Sequence, residues 1–287
     1  MVAVKSTKTV AVETKKMKYQ MIISDYDGTT AIGNKIPSEV VNAIKNYQSR
    51  GGKFVFCTGR AEASISKVIE ENAIVVDAVI SYQGSKVTVD NVPIIKGGID
   101  KETALSLIDD MRSYNKGIVV FFNDEIYYEG HDGVYRYVDF YKSLVKATEV
   151  ADLRKFVEDN DSAYQKLVIT KTPEEDLSEI ESFISEKYRG RVIANSGGVR
   201  LLEFVATDYT KHAASKRVAE YFNVSSDSVI TVGDSSNDLT LLEFGFGIAV
   251  ENATDKLKQT AKFIAPHVDK FPLKFIIDKV LSGEDFT

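Results

Sequence analysis

Two carboxylates two residues apart, Asp25 and Asp27, follow an apolar, β-prone run over residues 19–24 and lead straight into Gly28-Thr29. If the run is a strand, the acids emerge at its C-terminal end, where ligands bind in open α/β sheets. One carboxylate there can attack an electrophile while its neighbour moves a proton, and a cation can hold both. Alone the pair is weak, because an Asp-x-Asp of this kind is more often a solvated turn than a site. Three further clusters add weight: Thr58-Gly59-Arg60, Lys211, and Gly233-Asp234 through Asn237-Asp238. Each ends an expected strand or opens an expected helix. Together they supply a nucleophile, an acid/base, a hydroxyl with backbone donors, a cation and a second acidic pair. That set suits Mg²⁺-assisted phosphoryl transfer, in which catalysis is mostly positioning plus electrostatics.

For these clusters to meet, the elements carrying them must share one parallel sheet. Pro37-Ser38 opens an amphipathic helix over 39–50 with Val40, Val41, Ile44 and Tyr47 on one face, and Gly51-Gly52 stops it. Lys53–Cys57 reads as a buried strand, 61–72 as a helix and Ala78–Ser81 as a strand, an alternation that predicts a parallel sheet. After Gln83-Gly84-Ser85 the rhythm changes. Strands over 86–89 and 92–95 flank Asp90-Asn91, a hairpin signal. Helices over 101–114, 134–145, 151–158 and 173–188 then mix with strands over 118–122, 126–128, 164–170 and 191–194. The mixture predicts an inserted α+β module, with Gly84 and Gly197-Gly198 as natural hinges. The α/β rhythm resumes with a strand over 200–205 and a helix over 211–222. Strands over 228–232, 247–250 and 263–264 follow, with helices over 239–244, 253–260 and within 273–281. The expected organisation is a tail over 1–18, a sheet domain over 19–84 and 198–287, and an inserted cap over 85–197.

Composition narrows the function class. A formal net charge of -6 offers no electrostatic footprint for nucleic acid. One cysteine excludes an internal disulfide framework and suits a reducing cytoplasm, and with only three dispersed histidines a Cys/His zinc site is not expected. There is no apolar run of about 18 residues to cross a membrane. Residues 1–18 lack the unbroken apolar core of a signal peptide and read as a loosely held tail.

In the order and spacing of its clusters the chain resembles the haloacid dehalogenase (HAD) superfamily of aspartate-nucleophile phosphatases. It is most similar to the Cof-type, subfamily IIB sugar-phosphatase branch, whose cap is inserted between the second and third motifs. The stretch 229–238, continuing through Gly247-Ile248-Ala249-Val250-Glu251-Asn252-Ala253, is especially close to that branch. The resemblance covers residues 19–84 and 198–265, and the cap matches in placement, size and element order. It implies an α/β fold with a Rossmann-like core around a parallel sheet, plus a C2-type α+β cap. It also implies roles. Asp25 would attack phosphorus and form an aspartyl-phosphate, and Asp27 would protonate the leaving alcohol and then deprotonate water. Mg²⁺ would be held by an Asp25 carboxylate oxygen, the Asp27 backbone carbonyl and Asp234, with Asp238 as a further ligand, directly or through water. Thr58, the Gly59 amide and Lys211 would grip the phosphoryl oxygens, and Asn237 would orient part of that shell. The chain departs from the branch at Thr30, where an apolar residue is usual, at His212, where glycine usually follows the lysine, and over 266–272.

Several residues carry plainer readings. Cys57 reads as core packing, His212 as a helix-surface histidine, Lys216 as solvent-facing, and Glu70-Glu71 and Glu174-Glu175-Asp176 as solvated helix ends. Arg60 either helps bind substrate or caps its loop. The aromatics around His131 read as core more readily than as a ring-binding pocket. The expected function is a Mg²⁺-dependent phosphomonoester hydrolase acting on a small phosphorylated metabolite, sugar phosphates being the branch's commonest class. No nucleic-acid, membrane or obligate protein partner is expected. A phosphomutase would return the phosphoryl group to substrate. A phosphoacceptor regulator would need neither the cap nor Asp27, and a nucleotide-sugar glycosyltransferase would need neither 233–238 nor Lys211.

Overall fold

Met21-Ile22-Ile23-Ser24 is buried at every position, as a strand covered on both faces must be. In a computed structural model, which describes residues 17–170, 172, 174–196 and 201–286, this strand, β1 (Met21–Ser24), lies in the middle of an eight-stranded sheet. Helix α1 (Ser38–Ser49) buries Val40, Val41, Ala43, Ile44 and Tyr47, the expected face with one alanine added. Strand β2 (Lys53–Cys57), helix α2 (Glu62–Glu71) and strand β3 (Ala78–Ser81) complete the first α/β run. Next come β4 (Lys86–Val89) and β5 (Val92–Lys96), whose turn residues Asp90 and Asn91 adopt φ of 49° and 62°, as a tight hairpin requires.

A second, six-stranded sheet follows. Helix α3 (Lys101–Ser113) leads into β6 (Ile118–Phe122) and β7 (Glu125–Tyr128), then α4 (Asp132–Tyr141) and β8 (Ala147–Glu149). Helix α5 (Leu153–Asp159), β9 (Lys166–Thr170), α6 (Ser178–Lys187), β10 (Val192–Ser196) and β11 (Leu201–Ala206) complete it. The chain then returns to the first sheet through α7 (Lys211–Tyr221), β12 (Val229–Gly233), α8 (Leu239–Leu242), β13 (Phe246–Val250), α9 (Asp255–Thr260), β14 (Phe263–Ala265) and α10 (Pro272–Ser282).

The first sheet runs β14-β13-β12-β1-β2-β3-β4-β5, parallel from β14 to β3 and antiparallel through β4 and β5. The second runs β10-β11-β9-β6-β7-β8 and is antiparallel except where β7 meets β8. Each sheet has its own buried core. The face of the second sheet that carries Val119, Phe121 and Val168 packs against Ala61 and Tyr82, which belong to the loops of the first. This is an α/β core with a cap.

The sheets divide the chain differently from the expected bounds at 84/85 and 197/198. The β4–β5 hairpin, expected in the cap, extends the core sheet, and β11, expected to resume the core, lies between β10 and β9 in the cap sheet. Local patterning identifies a hairpin or a strand, whereas pairing with β3 or β9 is a long-range choice. Of the expected hinges, Gly84 has a φ of +119°, and Gly197-Gly198 lies outside the described residues. So does the tail up to residue 16. Three-residue β8 carried too short a signal to be expected. Among the described residues no helix is long and apolar enough to cross a membrane.

Candidate active site

Register brings the motifs together. Ser24 of β1 lies opposite Val232 of β12 on one side and Phe56 of β2 on the other. Asp25, Thr58 and Asp234, each just past its strand, therefore emerge along one edge, where the strand order turns away from β1 in both directions. The Asp25 N–H donates to the Val232 carbonyl at 2.9 Å, carrying the pairing one residue past the strand. Two glycines permit the close approach of loops. Gly28 has φ +74°, and a Cβ there would stand 2.6 Å from Asp234 Oδ2. Gly84 allows the end of β3 to meet the N-terminus of α7, since a Cβ would lie 2.5 Å from the Thr210 carbonyl oxygen. Thr210 caps α7 with its hydroxyl, which places Lys211 at the first helical position.

Asp25, Asp234 and Asp238 present carboxylate oxygens that all lie within 4.8 Å of one another. Lys211, 1% exposed, joins two of them, donating to Asp25 Oδ1 at 2.7 Å and Asp238 Oδ1 at 2.6 Å. Asp238 Oδ2 accepts from the Asp234 and Ser235 N–H groups, both at 3.0 Å, closing the turn on which it sits. Asp234 Oδ1 accepts from the Thr29 hydroxyl at 3.0 Å. Burial, then Asp238 and Asp234, push the Asp25 carboxyl well above the usual range, with Lys211 opposing them. Burial and then Asp238 push Asp234 up to about 6. Burial works against the charge on Lys211, but Asp238 and Asp25 outweigh it and hold the ammonium protonated. Three carboxylates thus crowd around one lysine that bonds two of them.

Asp27 faces a different partner. Its side chain is 52% exposed and forms a bidentate pair with Arg60, Nη2 to Oδ1 at 2.6 Å and Nε to Oδ2 at 2.7 Å. The guanidinium also lies over the Tyr26 ring, 4.7 Å from its centroid, and donates from Nη1 to Asn34. Beside the two readings of Arg60, as substrate binder and as loop cap, stands this contact with the second carboxylate. Thr58 is buried, and its Oγ1 accepts from the Arg60 N–H at 3.1 Å, leaving its hydroxyl hydrogen to donate. The Gly59 carbonyl accepts from Lys166 Nζ of the cap at 3.0 Å. Asn237 is tied to Ser235, whose hydroxyl donates to Asn237 Oδ1 at 2.7 Å.

The departures have physical readings. Thr30 is buried and donates to the Asp25 carbonyl at 2.7 Å, beside Ser24 Oγ at 2.9 Å, so a hydroxyl pair fixes the backbone of Asp25. His212 is not a free surface residue. It is half-buried, its ring edge-on to Phe244 at 5.6 Å. Cys57 is fully buried and Lys216 exposed, as expected. Asn252 was not singled out, yet its Nδ2 donates to the Gly28 carbonyl and its Oδ1 accepts from the Val268 N–H, both at 2.8 Å. Its place inside the 247–253 stretch was the available signal. A cavity of about 500 Å³ opens beside the first loop, lined by residues including Thr30, Ile32, Lys35 and Phe271. None of the three clustered aspartates lines it, so the chemistry sits elsewhere.

An α/β core whose strand ends gather acids, a lysine and a threonine beneath an inserted cap defines a capped hydrolase. Residues 22–272 match the family model of haloacid dehalogenase-like hydrolases, and the chain belongs to that family. It is 25% identical over 288 residues to the 5-amino-6-(5-phospho-D-ribitylamino)uracil phosphatase YwtE of Bacillus subtilis, covering 92% of this chain and 98% of that protein. Among solved structures it is similar to a Thermotoga maritima protein, with a TM-score of 0.78, 24% identity, and 91% and 97% of the two chains covered. A haloacid dehalogenase-like hydrolase from Bacillus subtilis gives a TM-score of 0.79 at 21% identity, covering 90% and 99%. The chain is an enzyme of this family, of the phosphatase kind that its named relatives represent.

Proposed function

We propose that the chain is a Mg²⁺-dependent phosphomonoester hydrolase acting on a small phosphorylated metabolite, a sugar phosphate, with Asp25 as nucleophile. The observation that carries this reading is the buried Asp25 carboxylate, gripped at Oδ1 by Lys211 and packed beside Asp234 and Asp238. Its Oδ2 takes no hydrogen bond from a described residue.

The donor set fits a hard cation. It is all oxygen, and its three carboxylates face one lysine. Asp238 already uses both oxygens, on Lys211 and on two backbone N–H groups. Asp25 and Asp234 would therefore hold the metal, with the Asp27 backbone carbonyl beside them, and Asp238 would position Lys211 and the turn. A bound Mg²⁺ supplies charge neutralisation to the phosphoryl oxygens and keeps Asp25 ionised.

The residues then divide the work. The free carboxylate oxygen of Asp25 attacks phosphorus as the ester P–O bond breaks. Asp27 gives its proton to the departing oxygen and later takes one from the water that releases phosphate, regenerating Asp25. Arg60 must release Asp27 for that exchange. Lys211, Thr58 and the Gly59 N–H face the remaining phosphoryl oxygens, and Asn237 supports the turn through Ser235. The phosphoribityl substrate in the name of the Bacillus subtilis relative supports a sugar- or polyol-type phosphoester. The single buried thiol suits a cytoplasmic setting.

The test is hydrolysis of p-nitrophenyl phosphate by purified protein, with and without Mg²⁺, followed by a panel of phosphorylated metabolites. Release of inorganic phosphate only with the metal is expected. Full activity in EDTA removes the metal from the proposal, and return of the phosphoryl group to the substrate would make the enzyme a mutase.

A further inference from the structure

The loop that carries Thr58 is held from two sides, and one of them is the cap. On the core side, just past β3, Gln83 and Tyr82 donate their N–H groups to the Thr58 carbonyl at 3.1 Å and the Arg60 carbonyl at 3.0 Å. Both residues adopt left-handed φ, +61° and +52°, which turns two successive N–H groups onto the loop. The carbonyl between those two, that of Gly59, accepts from Lys166 Nζ of β9 at 3.0 Å. Lys166 is 3% exposed, donates to Glu203 of β11 at 2.6 Å and lies over the Phe121 ring, 4.9 Å from its centroid. The buried ammonium is thus taken up by protein groups. Glu203 accepts in turn from Gln83 Nε2 at 3.3 Å, which closes a circuit from core loop to cap strands and back. The Gly59 C=O and the Arg60 N–H belong to one trans peptide unit and so point to opposite sides. The carbonyl meets Lys166, and the N–H meets Thr58 Oγ1 at 3.1 Å. The Gly59 N–H donates to no described residue.

We infer that Lys166 is a positioning residue for phosphoryl binding: it locks the Gly59–Arg60 peptide and, through it, the Thr58 hydroxyl, so the phosphate loop is complete only with the cap in place. The inference rests on the phosphatase reading, in which Thr58 and the Gly59 N–H face phosphoryl oxygens. Two arguments carry it. The first is the freedom of glycine, which leaves the 59–60 peptide loosely restrained on its own side. Turned over, that peptide would take its N–H away from Thr58 Oγ1 and swing a carbonyl dipole toward the side where an anion has to bind. An ammonium on the carbonyl oxygen opposes the rotation, because a hydrogen bond with a charged partner is the stronger kind. The second is polarisation. Lys166 draws electron density toward the Gly59 oxygen, which makes the Arg60 N–H a better donor to Thr58 Oγ1. A hydroxyl oxygen that accepts a stronger bond donates its own hydrogen more strongly, and that hydrogen is the one left for phosphate. Glu203, bonded to both Lys166 and Gln83, aims the ammonium.

The experiment measures kcat/KM on p-nitrophenyl phosphate and the inhibition constant of inorganic phosphate, which has no leaving group, in the full chain with Mg²⁺. Lys166→Met is expected to lower kcat/KM by about 10-fold and to raise the phosphate inhibition constant by about 3- to 10-fold. The decisive readout is the cycle with Thr58→Ala. Once the hydroxyl is gone, adding Lys166→Met should lower kcat/KM by less than about 3-fold, since the two act as one unit. A lysine that only supports the fold would lower the melting temperature, and its effect on kcat/KM would multiply undiminished onto that of Thr58→Ala, which overturns the inference. If Lys166→Met fails to fold because Glu203 is left buried and unpaired, Lys166→Met combined with Glu203→Gln removes both charges together and is expected to give the same losses. An unmoved kcat/KM and inhibition constant in the folded variants overturns the inference and leaves the phosphatase reading intact, because the wild type still hydrolyses the ester. A wild type that hydrolyses neither p-nitrophenyl phosphate nor any phosphorylated metabolite overturns both.

Discussion

Two buried lysines stand on either side of the division between core and cap, and their surroundings differ. Lys211 of the core touches Asp25 and Asp238, with Asp234 close behind. Lys166 of the cap sheet is paired with Glu203 alone. Both are nearly without solvent, so screening does not account for the contrast. What differs is the balance. The core cluster carries more negative charge than its lysine cancels, and a buried excess of this sign persists where a cation completes it. The cap pair, one cation against one carboxylate, is matched in charge. The two lysines thus differ in charge balance as well as in the sheet that carries them.

The largest way to break this contrast is to change the nucleophile. Asp25→Asn should lower kcat on p-nitrophenyl phosphate by about 10⁴-fold or more, since the amide cannot form the aspartyl ester. The metal-free variant should melt no lower than the wild type, because one of three crowded carboxylates has lost its charge. Retained activity would move the nucleophile elsewhere. Lys211→Met comes next. It leaves Asp25 and Asp238 buried without their shared cation, and urea unfolding of the metal-free protein should show a loss of about 3 kcal/mol. A loss under 1 kcal/mol would mean that the aspartates do not depend on the lysine.

How legible these features were in the sequence depended on their range. The runs at 19–24 and 53–57 are short, apolar and followed at once by their motif, so both the strands and the strand-end positions of Asp25 and Thr58 could be read locally. Asp234 and Asp238 were equally legible because four residues fix both. The cap–core division was not, because β11 looks like any strand until β9 and β10 are seen beside it. Arg60 was legible as a residue but not as the partner of Asp27, a contact spanning 33 residues. Lys166 and Glu203 had no motif at all. An alternating strand normally turns its polar side chains to water, and only the packing of that face against the core loops buries them.

The core's excess charge also gives a pH dependence. Asp234 is raised from the ordinary 3.8 to about 6, so the folded protein binds more protons than the unfolded chain across that window. Stability contributed by this group therefore falls as pH rises, and the cost is absent below the ordinary value and complete above about 6. In EDTA, Asp234→Asn should melt above the wild type at pH 7, and that advantage should shrink toward pH 5. Mg²⁺ at pH 7 should raise the melting temperature of the wild type and leave Asp234→Asn nearly unmoved. An equal Mg²⁺ effect on both proteins would remove Asp234 from the metal site and reduce the core to an ordinary buried ion pair.

The smallest effect belongs to Arg60, and it sharpens the contrast from outside both clusters. The pair it makes with Asp27 is as well formed as either buried pair, bidentate and short, yet the Asp27 side chain is 52% exposed. An ion pair that open to water contributes little to folding, so Arg60→Gln should change the unfolding free energy by less than about 1 kcal/mol. The same substitution frees the Asp27 carboxylate from its guanidinium. The kcat on p-nitrophenyl phosphate should therefore change by about 3-fold or more while the melting curve stays in place. If Arg60→Gln destabilises the protein as much as Lys211→Met, burial is not what separates structural from catalytic charge here. If it leaves kcat untouched, the contact with Arg60 does not hold Asp27 back from its task.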